Sequence, residues 1–463
     1  MTLHFRGTNE IRADFSNAMS VMYRTEVPAY GQLIDIVGVV NDDVLTGDHA
    51  ATLNLTPEED TQRITQERHG AIRLGTAQEL AMMARVFAVM GMHPVGYYDL
   101  SVASVPVHST AFRPISRGDL AQNPFRVFTS LLRLELIEDE ELRDKAQVAL
   151  SNRQIFTNQA IALTIQAEKD GGLSDDDAVT FIAQILETFR WHSDACIDAQ
   201  TFDALNGTHR LIADVVSFRG PHINHLTPRT LDIDVAQTSM IAQHLSAKAI
   251  VEGPPRRVCP ILLRQTSFKA LDEVVRFPNS DGSFSECTHT ARFGEVEQRG
   301  AALTPKGRAL YDVLLAKVRE DVLPAGDGSN AKTYVTRLEH IFKAFPDNWR
   351  DMHDQGLAYF KYSLADATKV NDVDAKINAL LDAGVLFLSP VIYEDFLPVS
   401  AAGIFQSNLG DETSSHRQTA SNRIQFEAAL GLNIVDEFAL YEDIQATTLV
   451  RCRAQLRASR AAT

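Results

Sequence analysis

Three short stretches of the chain carry residue types that could hold a metal ion and a carboxylic acid beside it. In FRGPHINHLTPRTLDI at 218–233, His222 and His225 differ in parity, so on a strand they face opposite sides of a sheet. In ARFGEVEQRGAAL at 291–303, Phe293, Glu295, Glu297 and Arg299 share one strand face. In RHGAIRLGT at 68–76, His69 and Arg73 are four residues apart and project the same way, as does Ala71. Each stretch alone has an ordinary explanation: a core histidine satisfied by backbone, a solvated acidic face with an internal ion pair, or a structural arginine. Together, two histidines and a carboxylate on strands match the facial triad that binds non-haem Fe(II) and leaves three positions open. Those positions suit a bidentate 2-oxo acid plus dioxygen. A nearby arginine can fork a carboxylate with two parallel N–H bonds. In this reading one glutamate is the ligand and the other pairs with Arg299.

Other chemistries lack their signatures. No GxGxxG, GxxxxGK[ST], GxSxG or HExxH occurs, and no Cys/His pairs have structural-zinc spacing. Cys196, Cys259, Cys287 and Cys452 are scattered without a CxxC, as expected of reduced thiols. With 44 Lys+Arg against 60 Asp+Glu the net charge is −16, which argues against a nucleic-acid partner. No apolar run reaches 18 residues, and the opening MTLHFRGTNEIRADF has no apolar core, so neither a membrane span nor secretion is expected. The expectation is a cytoplasmic protein. Its 463 residues, 45% of them apolar, allow several domains and a large core.

The elements that must position these residues are legible in part. Capping signals open helices at Thr56-Pro57, Thr76, Ser174 and Thr304-Pro305. Strand-like alternation runs over 97–112 and 127–137, and again over 257–268, 271–277 and 287–303, whereas 137–211 reads as helical almost throughout. This order predicts an α+β fold rather than alternating βαβ units. It divides into four parts: 1–136 with N-terminal helices and a first β module, a helical insertion over 137–211, a second β module over 212–320, and a mixed segment over 321–463.

Residue patterns also carry a resemblance. HINHLT at 222–227 resembles the first-strand signature of vicinal-oxygen-chelate metalloenzymes, which favours His225 over His222. FGEVEQR at 293–299 resembles the strand of the hydroxyphenylpyruvate dioxygenase branch in which the first Glu is the ligand, which favours Glu295 over Glu297. Together with WHSDA, LLRQTSFKALDE and LPVSAAGIFQSNL, these stretches make the chain, over about residues 68–409, similar to the 2-oxoadipate dioxygenase/decarboxylase (2-hydroxyglutarate synthase) family. The resemblance implies a half-open barrel of βαβββ modules. It implies Fe(II) held by His69, His225 and Glu295, and a substrate carboxylate held by Arg73. Gln265, Val399 and Ser400 would complete the pocket. The implied reaction converts 2-oxoadipate and O2 to 2-hydroxyglutarate and CO2, a step of lysine degradation. Two other readings stay open: a metal-dependent lyase or isomerase on the same scaffold, with Glu297 as a conceivable fourth ligand, and a non-catalytic metabolite-binding protein. Oxygen consumption separates the first from the dioxygenase reading.

Overall fold

The protein, seen here as a computed structural model, is described over residues 4–47, 63–101, 104–269, 271–369, 372–397 and 415–461. The central sheet begins with β1 (Arg68–Leu74), the chain continues through the helix Ala77–Val89, and it returns as β2 (His93–Asp99), β3 (Val107–Arg113) and β4 (Arg126–Leu132). β1 lies parallel to β4, β3 is antiparallel to both β2 and β4, and β5 (Leu226–Pro228) adds antiparallel to the free edge of β1, giving the order β2-β3-β4-β1-β5. The alternation expected over 97–112 is thus two strands of a hairpin. A turn interrupts it, with the Val105 amide donating to the Leu100 carbonyl and Ser104 at φ 62°.

The second set comprises β6 (Leu263–Lys269), β7 (Glu273–Pro278), β8 (Phe284–His289) and β9 (Phe293–Arg299). β6 pairs antiparallel with β9, and β7 with β8. The expected strand over 287–303 is therefore broken near 290–292 into members of two different pairs. β9 sits beside β5: Arg229 and Glu297 form a parallel bridge, Phe293 N donates to Asn224 O at 3.2 Å, and Thr230 N to Glu297 O at 2.7 Å. Past β6, residues 247–252 bridge to Phe268 and Gln265. The result is a mixed α+β fold around a central sheet.

Pleating sorts β1 cleanly. Ile72 and Leu74 join the largest core, packed with Phe15 and Met19 of the helix Thr8–Glu26, Met83 and Phe87 of Ala77–Val89, and Phe181 and Ile185 of Asp175–Phe189. His69, Ala71 and Arg73 face the other way. The helical expectation for 137–211 is met by the helices Glu140–Ser151, Asn158–Asp170, Asp175–Phe189, Ala199–Thr208 and Arg210–Ser217. The caps at Thr76, Ser174 and Thr304 are formed, each hydroxyl accepting from the backbone N–H three residues on. The Thr56 cap lies outside the described residues. In the C-terminal part, β10 (Phe360–Leu364) pairs with β11 (Leu386–Pro390), and the helix Glu437–Ala461 reaches β10 through Gln445 and Thr448. Among the described residues no helix is long and apolar enough to cross a membrane.

Candidate metal centre

The sheet brings three distant segments into one row. Register pairs His69 with Thr227 across β1 and β5, the β5–β9 bridge carries Thr227 on to Glu295, and Glu295 pairs with Ser267 on β6. Directly opposed residues point to the same face, so His69, Thr227 and Glu295 converge. His225 stands just before β5 and enters from the same side.

Both histidines aim Nε2 at one oxygen, Glu295 Oε1, at 3.3 Å from His69 and 3.6 Å from His225. The ligand atoms of the three residues lie within 4.8 Å of one another, and all three side chains are buried. Two bonds of about 2.1 Å at a right angle place neighbouring donors about 3 Å apart, close to these separations. Buried imidazole nitrogens facing a shared carboxylate oxygen need either protons or a cation between them, so the donor set fits a divalent metal of the type two histidines and a carboxylate select. Among the described residues, His225 Nδ1 is buried without a hydrogen-bond partner. Burial, opposed by Glu295, lowers the His225 pKa to about 4, which keeps the ring neutral and able to donate a lone pair.

Each partner of the set is itself held. Thr227 Oγ1 donates to Glu295 Oε1 at 2.9 Å, and Gln265 Nε2 donates to Oε2 at 3.3 Å. Behind His69, Nδ1 lies 3.0 Å from Glu297 Oε2, and Arg299 grips Glu297 with two N–H bonds of 2.7 and 2.9 Å. Burial alone would raise the Glu297 pKa, but Arg299 and His69 outweigh it and bring it down to about 2. Glu297 pairs with Arg299 and backs His69, while Glu295 faces both histidines. His222 points away and packs edge-on against Trp191 and Phe218.

Arg73 and Gln265 line a cavity of about 530 Å³ that opens onto Glu295, a volume suited to a small ligand. Arg73 Nη1 lies 3.8 Å from Asp214 Oδ2, and the Asn224 amide oxygen, in the orientation its hydrogen-bond network requires, accepts from the same nitrogen at 3.2 Å. Burial pulls the Arg73 pKa below its ordinary value, with Asp214 opposing, so the guanidinium has a further anion to gain by. Val399 and Ser400 lie outside the described residues. Thr227, Asp214 and Phe396, whose ring stands 4.9 Å from that of His69, were not singled out by the sequence. Thr227 sits within the HINHLT motif, but its role depends on the β5–β9 pairing, and nothing local marks the other two.

The profile of the 2-oxoadipate dioxygenase/decarboxylase family matches residues 15–408. A 2-oxoadipate dioxygenase/decarboxylase of Pseudomonas putida is 54% identical over 452 residues, covering 97% of both chains. That of Escherichia coli K12 is 52% identical over 449 residues, covering 96% of this chain and 98% of the other. The crystal structure of the hydroxyglutarate synthase from Pseudomonas putida in complex with 2-oxoadipate matches at a TM-score of 0.89 and 52% identity, over 98% of this chain and 99% of that one. With a shared profile across most of its length and about half its residues in common with these enzymes, this chain belongs to the 2-oxoadipate dioxygenase/decarboxylase family.

Proposed function

We propose that this protein is a cytoplasmic, Fe(II)-dependent enzyme that converts 2-oxoadipate and O2 to 2-hydroxyglutarate and CO2, with His69, His225 and Glu295 as the metal ligands and Arg73 holding a substrate carboxylate. The observation that carries this reading is the convergence of two buried imidazole Nε2 atoms on one oxygen of Glu295, a residue that lines the same cavity as Arg73. We also read the five-stranded sheet, bridged at Arg229 and Glu297 to the β6–β9 pair, as the half-open barrel of the vicinal-oxygen-chelate type. Held by His69, His225 and Glu295, Fe(II) would supply the oxidative chemistry between dioxygen and a 2-oxo acid.

The chain's own residues supply placement. The Glu297 carboxylate, 3.0 Å from His69 Nδ1, favours the tautomer that carries its proton there, so that Nε2 keeps its lone pair for the metal. Gln265 and Thr227 fix both oxygens of Glu295. Arg73, charged and largely buried, binds a carboxylate and sets the direction in which the chain of the substrate leaves the metal. Phe293 and Phe396 pack on the two imidazoles and limit water beside them. Glu297, engaged by Arg299 on the far side of His69, stands apart from the three converging atoms, which favours the three-ligand reading over a lyase with four.

The test is oxygen uptake by anaerobically reconstituted Fe(II) protein on addition of 2-oxoadipate. One O2 consumed for each CO2 and 2-hydroxyglutarate formed is the expected result. Metal-bound protein that consumes no oxygen would turn the assignment to the lyase or isomerase reading.

A further inference from the structure

Three arginines with buried side chains are each gripped by a carboxylate. Arg113 holds Asp395 with bonds of 2.7 and 3.0 Å, Arg153 holds Glu79 at 2.6 and 2.8 Å, and Arg299 holds Glu297 at 2.7 and 2.9 Å. Such a fork is the expected outcome where a guanidinium and a carboxylate share a dry site. Arg73 departs from it. Asp214 lines the same cavity, yet its nearest oxygen, Oδ2, stays 3.8 Å from Arg73 Nη1. That is about 1 Å beyond a charged hydrogen bond. Among the described residues Arg73 donates to no carboxylate.

What keeps Asp214 off lies behind it. Its other oxygen, Oδ1, accepts from His289 Nε2 at 2.5 Å. A ring nitrogen this close to a carboxylate oxygen carries a proton. Asp214 is fixed to the helix Arg210–Ser217, and His289 ends β8 as the one side chain of that strand that is not exposed. The imidazole is clamped in turn, stacked on Phe218 with centroids 6.0 Å apart and edge-on to Phe202 at 5.5 Å. An aspartate side chain is short, so a carboxylate tied through Oδ1 cannot bring both oxygens onto Arg73. The direct bond to the guanidinium comes from a neutral acceptor instead. The Asn224 amide oxygen accepts from Arg73 Nη1 at 3.2 Å and from His222 Nε2 at 3.3 Å. Burial works against the charge on Arg73 and Asp214 works for it, from a distance that leaves the fork unoccupied.

We propose that His289 is a positioning residue: it holds Asp214 back, so that Asp214 balances the Arg73 charge without capturing the guanidinium, which stays open to the substrate. The inference rests on the reading of Arg73 as the residue that binds a substrate carboxylate. Freed from His289, Asp214 closes on Arg73 as Glu297 does on Arg299 and becomes an internal competitor. The apparent affinity for substrate then falls by the fraction of protein in which Arg73 is still open. Once bound, the substrate has displaced Asp214 and meets the same arginine and the same metal ligands. The cost therefore falls on binding and not on turnover.

The experiment uses full-length, Fe(II)-reconstituted protein with 2-oxoadipate, taking KM and kcat from oxygen uptake and Kd from anaerobic calorimetric titration. His289→Phe keeps a ring against Phe218 and Phe202 and removes the N–H, and His289→Asn, with a shorter side chain, removes the contact in a second way. Both should raise KM and Kd by roughly tenfold to a hundredfold, the range a charged hydrogen bond spans. Their kcat should stay within about twofold of wild type. His289→Gln, whose Nε2 can stand where the ring Nε2 stood, should recover most of the affinity. The deciding comparison is His289→Phe in an Asp214→Asn background, where the competing charge is gone and the added penalty should fall below about threefold. Three results overturn the role of His289 and leave the proposed reaction standing: the same penalty in both backgrounds, a His289→Gln variant as weak as His289→Phe, or losses that fall equally on kcat. Unchanged KM and Kd in His289→Phe and His289→Asn alike do so too. Wild-type Kd for 2-oxoadipate in Arg73→Ala overturns the reading of Arg73, and the role of His289 with it.

Discussion

His69 is addressed from both ring nitrogens: Nε2 toward Glu295 and Nδ1 toward Glu297, which Arg299 holds in a two-bond grip. A carboxylate behind a metal-ligating histidine fixes its tautomer and raises its basicity, and losing such a partner typically costs tenfold to a hundredfold in metal affinity. Glu297→Gln keeps the shape and removes the charge. It should weaken Fe(II) binding by that range, read by competition with a chelator, with the three ligands untouched. Variants of the other site residues divide differently. His225→Ala should lose metal and turnover together, and Arg73→Ala should keep metal at near wild-type affinity while turnover collapses. Wild-type metal affinity in Glu297→Gln, or full iron occupancy in His225→Ala, would sink the corresponding role.

At the scale of elements, what could be read in the sequence was what is local. β9 lies within a stretch that reads as a strand, and spacing alone puts His69 and Arg73 on one side of an extended β1, so the shared faces of His69 with Arg73 and of Glu295 with Glu297 and Arg299 were legible, as were the helix caps at Thr76, Ser174 and Thr304. The parity argument for His222 and His225 had no strand to act on, because β5 is only three residues long and begins at Leu226. What separates those histidines is packing, with His222 drawn to Trp191 and Phe218 from the helical block. Pairings across long sequence separations, β5 with β9 and residues 247–252 with β6, leave no local trace. One glycine shows how tightly these strands close. Gly294, next to Glu295, pairs with Phe268 across β6 and β9, and a Cβ there would come within 2.0 Å of the Phe268 ring. Gly294→Ala should therefore cost about 1–3 kcal/mol through overpacking, seen as a lower Tm, and should loosen metal binding by shifting Glu295. A Tm equal to that of wild type would show that β6 yields freely at this point.

Across the whole molecule, the metal centre rests on a buried ionic network that ties the sheet to the C-terminal part. Glu67, just ahead of β1, accepts from Arg126 of β4 and from Arg229 after β5, each at 2.8 Å. Arg126 and Arg63 both reach Glu394, at 2.7 and 2.6 Å, and Arg299 donates to the Tyr393 and Asp395 carbonyls at 2.9 Å. Breaking such a pair leaves an uncompensated buried charge, so acid should act on the fold through these carboxylates. Burial would raise their pKa values, but the surrounding arginines outweigh it. Glu67 lies well below the ordinary value of 4.5, Glu394 lies below it, and Glu297 falls to about 2. A carboxyl whose pKa is lower in the folded state contributes stability that is complete above its unfolded value and is lost as pH falls toward the folded one. His225 slopes the same way, staying neutral in the fold down to about 4 while the unfolded ring takes up a proton below about 6.5. His69 opposes them: burial lowers its pKa, Glu297 and Glu295 outweigh that and raise it, and its contribution fades as pH rises. Four groups against one give a net expectation. The unfolding free energy of metal-free protein should decline steadily from about pH 6.5 to below pH 4, by about 2–3 kcal/mol for a single carboxyl shifted by about two units. Urea unfolding at pH 7, 5.5, 4.5 and 3.5 measures it. Stability that is flat or rising on acidification would mean that the arginines do not hold these carboxylates ionised, and that the support behind His69 is not electrostatic.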